Sequence, residues 1–431
     1  MIEKFWYGLY NLFFLPLLRM SAFCFQWFFP KIRKGIQGRR NLFQKLETDI
    51  QRIAGQSPRI WIHNSSLGEF EQAKPLIMEL KKRFPHGAII VSFFSPSGFD
   101  HAGSFSHADV ICYLPVDTIR NASRFVDLVK PDILIVIRHD IWPNHLRVLK
   151  KRGIPAILIN FSMRPRGYFR WFPGAIRTLF GQFNAIFTVS PEVEAFPWPF
   201  QKTTKWMVCG DTRYDQVIQR AKARDPVGTP LKSWINKRVC LIFGSTWAKD
   251  EAVIFPPLKR LFSVHSNLCV ILAPHEPTES HLRQIEKICR KANLSSSRLS
   301  RDFENTIPAS QICIVDRVGI LAGLYALADV AWVGGGFGRG VHSVLEPAVF
   351  GIPVFFGPHC KNALEALQLE KRNAGKRISD AETLYHTLEF LLSHPKERKR
   401  MGKNALDLVQ ENAGATGRIV SAIETFLNAH D

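Results

Sequence analysis

The sequence predicts an α/β protein: two Rossmann-like, doubly wound domains behind an N-terminal membrane-anchoring helix. Three observations carry that prediction. The chain has 431 residues, more than one ordinary domain of about 100–150 residues uses. Short apolar runs of strand type alternate with helical segments in two series, one from residue 58 and one from residue 238, the pattern of parallel sheets wrapped by helices. Between Asp329 and Asn362 lies a strand, a glycine-rich turn, a helix and a second strand, a unit able to hold an anion at a helix start. The expected divisions are an anchor and basic segment over 1–45, an N-terminal domain over 46–215, a linker over 216–237 and a C-terminal domain over 238–431.

Residues 5–30 are apolar and aromatic, interrupted by Asn11, Pro16, Arg19 and Gln26. Lys31, Arg33, Lys34, Arg39, Arg40 and Lys45 follow. The charged start is weak and no small-residue cleavage site closes the stretch, so a secretory signal is disfavoured. The length just suffices to span a bilayer, although Arg19 near its middle would cost about 3 kcal/mol. Aromatic ends and the basic run suit an anionic membrane surface. A monotopic or single-pass anchor with the body in the cytoplasm is expected; a helix packed on the protein itself is the alternative. The formal charge of +20 asks for an anionic partner. With no nucleic-acid-binding signature, and basic residues clustered behind the apolar stretch, the membrane is favoured over nucleic acid. The eight cysteines are scattered without a C-x-x-C pair, which fits buried reduced thiols better than a disulfide framework or a zinc site.

In the first series, strands are expected over 59–64, 88–94, 108–115, 132–137, 154–160 and 184–190, with helices over 65–84, 118–129, 142–152 and 164–180. Ligands of such sheets bind beyond the carboxyl ends of the strands. Three polar clusters fall there. His63 to Glu69 includes Ser65, Ser66, Gly68 and Glu69. The polar turn Ser95 to Gly98 includes Ser97. Arg138 to Asn144 includes Asp140. Glu69 stands at the start of a helix, where the dipole would lower its pKa unless burial offsets it, and it could act as a general base. Arg164, Arg166, Arg170 and Arg177 mix with aromatics, either as a clamp for an anionic lipid or as a solvated basic helix. Gly210, Asp211 and Arg213 stand where the chain leaves the last strand of this domain.

Residues 216–237, with Pro226, Gly228 and Pro230, read as a hinge. In the second series, strands are expected over 238–244, 267–274, 311–316, 329–334, 353–356 and 375–379, with a polar loop over 293–310 and mostly helix in the last hundred residues. Ser245, Thr246 and Lys249 open a helix after the first of these strands, and His275 stands at the carboxyl end of the second. Five glycines fall within 334–340, letting backbone approach a phosphate closely. The helix over 343–350 carries Glu346, a carboxylate able to hold a ribose. Two such halves joined by a hinge match the two-domain glycosyltransferase plan called GT-B. A UDP-sugar transferase or epimerase would share these features; a non-enzymatic basic membrane- or nucleic-acid-binding protein would explain the charge alone.

Several dispersed stretches, in order, carry a family resemblance: WIHNSSLGEFEQAKPLI (61–77), SFFSPSGFD (92–100), YLPVDT (113–118), CGDTRYD (209–215), FGSTWAKDE (243–251), LAPHE (272–276) and VGGGFGRGVHSVLEPAVFGIPVFFGPHCKN (333–362). On these the chain resembles the 3-deoxy-D-manno-octulosonic acid (Kdo) transferases of lipopolysaccharide assembly, in wording nearest a Bacteroidetes-like branch. The resemblance implies inverting transfer of Kdo from CMP-Kdo to a lipid A precursor, lipid IVA, at the cytoplasmic face of the inner membrane. The sequence has no Asp-x-Asp motif, so no metal is expected for the leaving group, and no cofactor is expected. It implies Glu69 as catalytic base. It places Ser245, Thr246, His275, Gly334, Gly335, Gly336, Phe337, Gly338, His342, Ser343, Glu346 and Asn362 around the donor, where Lys249 and the loop amides would face the leaving phosphate. Ser65, Ser66, Gly68, Ser95, Ser97, Gly98, Asp140 and Arg213 are the expected acceptor or Kdo contacts. The chain departs from the family pattern at Arg138-His139-Asp140, where many members carry Glu-Thr-Glu, at His342-Ser343, where many carry His-Asn, and at Trp247, where others have His.

Overall fold

The computed structural model describes residues 2–103, 105–162, 172–195, 198, 200, 204–222, 229–303, 307–338, 340–361 and 363–428. The chain forms two compact units, Met1–Gln216 with Ala413–Asp431, and Val217–Asn412.

The N-terminal unit is built on seven strands: β1 (Arg59–Asn64), β2 (Ala88–Phe93), β3 (Val110–Tyr113), β4 (Ile133–Ile137), β5 (Ala156–Phe161), β6 (Ala185–Thr188) and β7 (Lys205–Val208). They lie in the order β3-β2-β1-β4-β5-β6-β7, every neighbouring pair parallel. Both faces are buried, which is why the strands read as unbroken apolar runs. Ile60 and Ile62 pack on one face while Trp61 packs on the other. Around the sheet run α1 (Ile2–Leu9), α2 (Leu15–Phe25), α3 (Pro30–Gly38), α4 (Leu42–Arg52), α5 (Leu67–Arg83), α6 (Pro96–Ala102), α7 (Ile119–Val129) and α8 (Pro143–Lys151). The strand order reverses between β1 and β4. Their carboxyl ends therefore flank a crevice of the kind that takes ligands in doubly wound sheets.

The second unit repeats the plan with β8 (Val239–Thr246), β9 (Leu268–Pro274), β10 (Ser296–Arg298), β11 (Ile312–Ile314), β12 (Val330–Val333), β13 (Val354–Phe356) and β14 (Gly375–Arg377). The order is β10-β11-β9-β8-β12-β13-β14, again parallel throughout. Its reversal falls between β8 and β12.

Several expected boundaries are corrected. The C-terminal domain does not run to residue 431: the last helix, Ala415–Leu427, belongs to the N-terminal unit. Its Ile419 and Ile423 are buried against Phe70, Ala73 and Ile77 of α5. Asp215 fixes its start, accepting the Gly414 and Thr416 N–H groups at 2.6 Å each. The linker is helical where described, Thr212–Lys222 and Thr229–Ile235. The turn at 95–98 opens helix α6, with Pro96 in its first turn. Within the loop expected over 293–310, β10 and a helical turn, Leu299–Asp302, form. The helix expected over 343–350 is one turn, Leu345–Ala348, because Pro347 has no N–H to close an earlier turn onto Ser343. All eight cysteines are free thiols, and seven of them are buried.

Candidate functional site

In the N-terminal unit, the carboxyl ends of β1, β2 and β4 bring together most of the expected residues. Ser66 is the N-cap of α5 in extended conformation, which turns the chain so that Glu69, one turn on, folds back. The Glu69 carboxylate accepts the Ser65 N–H in a short hydrogen bond. The Ser65 carbonyl takes the Ser95 N–H at 2.9 Å, tying the β1 loop to the β2 loop, where the Ser95 and Ser97 hydroxyls are 3.1 Å apart. Gly98 is a packing glycine: a Cβ there would lie 2.3 Å from the Phe93 ring. Gly68, by contrast, faces open space.

Behind Glu69 runs a polar relay, buried at Trp61, His63 and Ser92 and half-buried at Asp140 and Trp142, whose members stand far apart in the sequence. Trp61 Nε1 donates to Ser92 Oγ at 2.8 Å, Ser92 Oγ meets His63 Nδ1 at 2.8 Å, and His63 Nε2 meets Asp140 Oδ2 at 2.8 Å. Trp142 Nε1 donates to the same Asp140 oxygen at 3.2 Å. A carboxylate facing Nε2 keeps a proton there whether the imidazole is neutral or cationic. The signal in the sequence was a polar residue, His63 or Ser92, inside an otherwise apolar strand. The preceding Arg138 adopts φ 66°, the left-handed turn that re-aims the chain after β4.

For Glu69 burial outweighs the helix dipole. Burial raises its pKa above the ordinary carboxylate value, with Asp140 adding to the rise. The Ser65 N–H, His63 and Arg138 oppose it. His139 is pushed down to about 4, by burial first and then by Arg138. Arg213 pairs with Asp211 at 2.8 Å. Its helix is held to α5 by Thr212 Oγ1 donating to the Gln72 carbonyl at 2.9 Å. Arg164, Arg166 and Arg170 lie outside the described residues, as does Asn362.

In the second unit, the ends of β8, β9 and β12 gather the other group. His342 and His275 stack with ring centres 4.4 Å apart, and Trp247 covers His275 at 4.6 Å. Trp247 Nε1 donates to His342 Nε2 at 3.1 Å, so the neutral ring carries its proton on Nδ1. Burial, with His275 alongside, pushes His342 down to about 4. Trp247, a departure from the family pattern, sets this tautomer. Lys249, His275 and Ser343 are exposed.

The glycine loop answers first to its own backbone. A Cβ on Gly334 would lie 2.1 Å from the Ser245 carbonyl oxygen, and one on Gly336 would lie 2.5 Å from the Gly357 nitrogen. Gly335 holds φ 90°. The Gly335 N–H donates to Asp250 Oδ2 at 2.9 Å, and the Gly334, Gly338 and Gly340 N–H groups donate to backbone carbonyls within the unit. These amides are therefore not open phosphate donors, and the single helical turn after them has little dipole to offer. Thr246 Oγ1 is likewise committed, donating to Glu251 at 2.9 Å. Glu346 pairs with Arg220 at 2.9 Å.

Two parallel doubly wound units in one chain, each with polar groups gathered at its switch point, are the GT-B plan, the architecture of a large class of glycosyltransferases. Comparison with known proteins is more specific. A family model described as 3-Deoxy-D-manno-octulosonic-acid transferase (kdotransferase) matches residues 36–216. The 3-deoxy-D-manno-octulosonic acid transferase of Aquifex aeolicus is 30% identical over 347 residues, covering 79% of this chain and 88% of that protein. That of Haemophilus influenzae is 27% identical over 381 residues, covering 85% and 87%. Among solved structures, the UDP-GlcNAc 2-epimerase of Neisseria meningitidis superposes with TM-score 0.59 at 13% identity, covering 82% of this chain and 99% of that one, a likeness of fold. The chain belongs to the 3-deoxy-D-manno-octulosonic acid (Kdo) transferase family and is a glycosyltransferase of lipopolysaccharide biosynthesis.

Proposed function

We propose that the chain transfers Kdo from CMP-Kdo to a hydroxyl of a lipid A precursor, lipid IVA, with inversion, at the cytoplasmic face of the inner membrane. The observation that carries this reading is Glu69, a half-buried carboxylate pinned by the Ser65 N–H, with burial and Asp140 raising its proton affinity. Departure of CMP leaves an oxocarbenium-like centre on a sugar that already bears a carboxylate, so the acceptor hydroxyl must lose its proton as it attacks. A carboxylate whose pKa lies closer to neutrality is the better general base for that step. Ser65, Ser66, Gly68, Ser95, Ser97, Gly98, Asp140 and Arg213 form the acceptor or Kdo side. Ser245, Thr246, Lys249, His275, the glycine loop with Phe337, His342, Ser343, Glu346 and Asn362 form the donor side, with Lys249 and the Nδ1 proton of His342 supplying positive ends toward the leaving phosphate. The domain roles follow: an N-terminal acceptor domain, a C-terminal nucleotide-sugar domain.

Glu69→Gln tests the assignment. CMP-Kdo binding stays near wild type while turnover falls by about 10² or more, read by mass spectrometry of the product from lipid IVA. A donor screen in the same assay decides the sugar nucleotide, since turnover with a UDP-sugar and none with CMP-Kdo would reject the reading.

A further inference from the structure

The apolar leader is pinned to the N-terminal unit at both of its ends. Glu3–Phe25 is the one described helix long and apolar enough to cross a membrane. Its first foot is polar. Tyr7 Oη donates to the Pro143 carbonyl at 3.2 Å and Tyr10 Oη to Asp117 Oδ2 at 2.8 Å. The Asn11 and Asn144 amides exchange hydrogen bonds at 3.2 and 2.8 Å. Asp117 is fully buried and also accepts the Asn144 and His145 N–H groups at 3.0 Å each, capping α8. A π-helical turn, Tyr10–Phe14, stands just before Pro16. The widened turn relieves the proline's clash with the preceding carbonyls and turns Tyr10 and Asn11 onto this foot.

The second foot follows the apolar stretch. Arg39 donates to the Leu114 carbonyl at 2.8 Å and the Phe94 carbonyl at 2.7 Å, and its guanidinium lies over the Phe94 and Tyr113 rings at 5.0 and 4.9 Å. Lys34 pairs with Asp100 at 2.7 Å. Gly38 lets the chain approach closely, for a Cβ there would lie 2.4 Å from the Tyr113 ring. Two of the six basic residues expected to face lipid, Lys34 and Arg39, are thus engaged within the protein.

Leu114 and Asp117 are three residues apart, at most ~11 Å of chain. A membrane span would carry one foot through about 30 Å of hydrocarbon to the opposite side. Between the feet the chain instead goes out along α2, turns at Gln26–Phe29 and returns along α3. Trp27 and Phe28 in that turn are 75% and 77% exposed, and Leu12, Phe13, Leu17, Met20 and Phe23 are exposed along the outgoing arm. Lys31, Arg33, Arg40 and Lys45 are exposed beside the returning arm, charges that suit anionic headgroups.

We propose that residues 12–33 are a re-entrant hairpin that enters one leaflet of an anionic membrane and leaves the N-terminus on the same side as the enzyme body. The feet adjoin the loops carrying Asp140 and Ser95, so a lipid acceptor would reach them from that same leaflet; this placement rests on the proposed acceptor role of the N-terminal unit.

Topology tests the hairpin without using turnover. The full chain, tagged at both ends, is placed in inside-out inner-membrane vesicles and treated with protease. Removal of both tags is expected; protection of the N-terminal tag with loss of the C-terminal one would overturn the proposal. Cys24, the exposed thiol among seven buried ones, takes a polarity-sensitive maleimide dye. Vesicles of phosphatidylethanolamine and phosphatidylglycerol should blue-shift its emission, and doxyl-labelled lipids should quench it; an unshifted spectrum would count against insertion. Trp27→Ser with Phe28→Ser should lower vesicle partition at least tenfold with thermal stability unchanged. If the pair changes only the oligomeric state in light scattering, a second copy covers this face and the hairpin is rejected. Failure of Kdo transfer would show in the product assay and leave these readouts untouched.

Discussion

On the proposed role of Glu69 as general base, Glu69→Gln removes the base while keeping the acceptor oxygen that holds the start of α5, because the amide Oε1 can still take the Ser65 N–H. A general base contributes about 10²–10⁴ in rate, which at ~1.36 kcal/mol per decade is about 3–5 kcal/mol of barrier. The structure adds a sign in pH. The wild-type carboxylate works only when ionised, so turnover should rise with pH through its raised pKa and then level. Glu69→Gln should abolish that acid limb. Asp140 is a like charge that raises Glu69, and Arg138 is a cation that lowers it. Asp140→Asn should therefore move the limb to lower pH and Arg138→Met to higher pH, whatever either does to the plateau.

Stability carries the matching sign. A folded-state pKa above the ordinary 4.5 means the fold favours the protonated carboxyl. The associated stability is present below the unfolded value and is lost as pH rises through the folded value. Near neutral pH the ionised Glu69 is thus a net cost. Glu69→Gln should melt at or above wild type there, and the difference should close in acid. Turnover of the variant within about tenfold of wild type, or an acid limb that persists in it, would refute the reasoning.

Two glycines should respond in opposite ways. Gly334→Ala sets a Cβ 2.1 Å from the Ser245 carbonyl oxygen, backbone against backbone, and should cost about 1–3 kcal/mol or more in denaturant titrations. Gly68→Ala meets nothing within 4 Å and should stabilise by roughly 0.5–1 kcal/mol; if the acceptor passes close to it, KM for the acceptor rises while donor affinity holds. His342, held down to about 4, should show no imidazole titration by NMR through the physiological range. Stability held by the neutral ring should be full above the ordinary imidazole value of 6.5 and be lost as pH falls from there through about 4, and His342→Gln should remove this acid sensitivity. Asp117→Ala strands the Asn144 and His145 N–H groups and the Tyr10 hydroxyl, and should lower stability by about 3–5 kcal/mol in urea unfolding.

The strands could be read because each parallel sheet is covered on both faces. Ile133–Ile137 and Leu268–Pro274 are buried at every position, so burial writes itself as an unbroken apolar run. That signal fades where a strand is short, polar and at an edge, as in Ser296–Arg298. The last helix shows a second limit. Its spacing reveals an apolar face, but not which sheet the face covers, and the choice is made by distant groups such as Asp215. The site divides in the same way. That Glu69 and Asp140 would stand beyond the ends of β1 and β4 follows from strand order, whereas the proton affinity of Glu69 depends on burial and on His63, Arg138 and Asp140, side chains the linear sequence does not bring together. Glycine content misleads for a related reason. An anion cradle and a tight backbone crossing both demand residues without a Cβ, and the two are told apart only by where the N–H groups point. In the 334–340 loop those of Gly334, Gly335, Gly338 and Gly340 point into the protein. On the proposed donor role of this unit, recognition of the phosphate falls to side chains around the loop, which makes Trp247, His275 and His342 more informative targets for substitution than the glycines themselves.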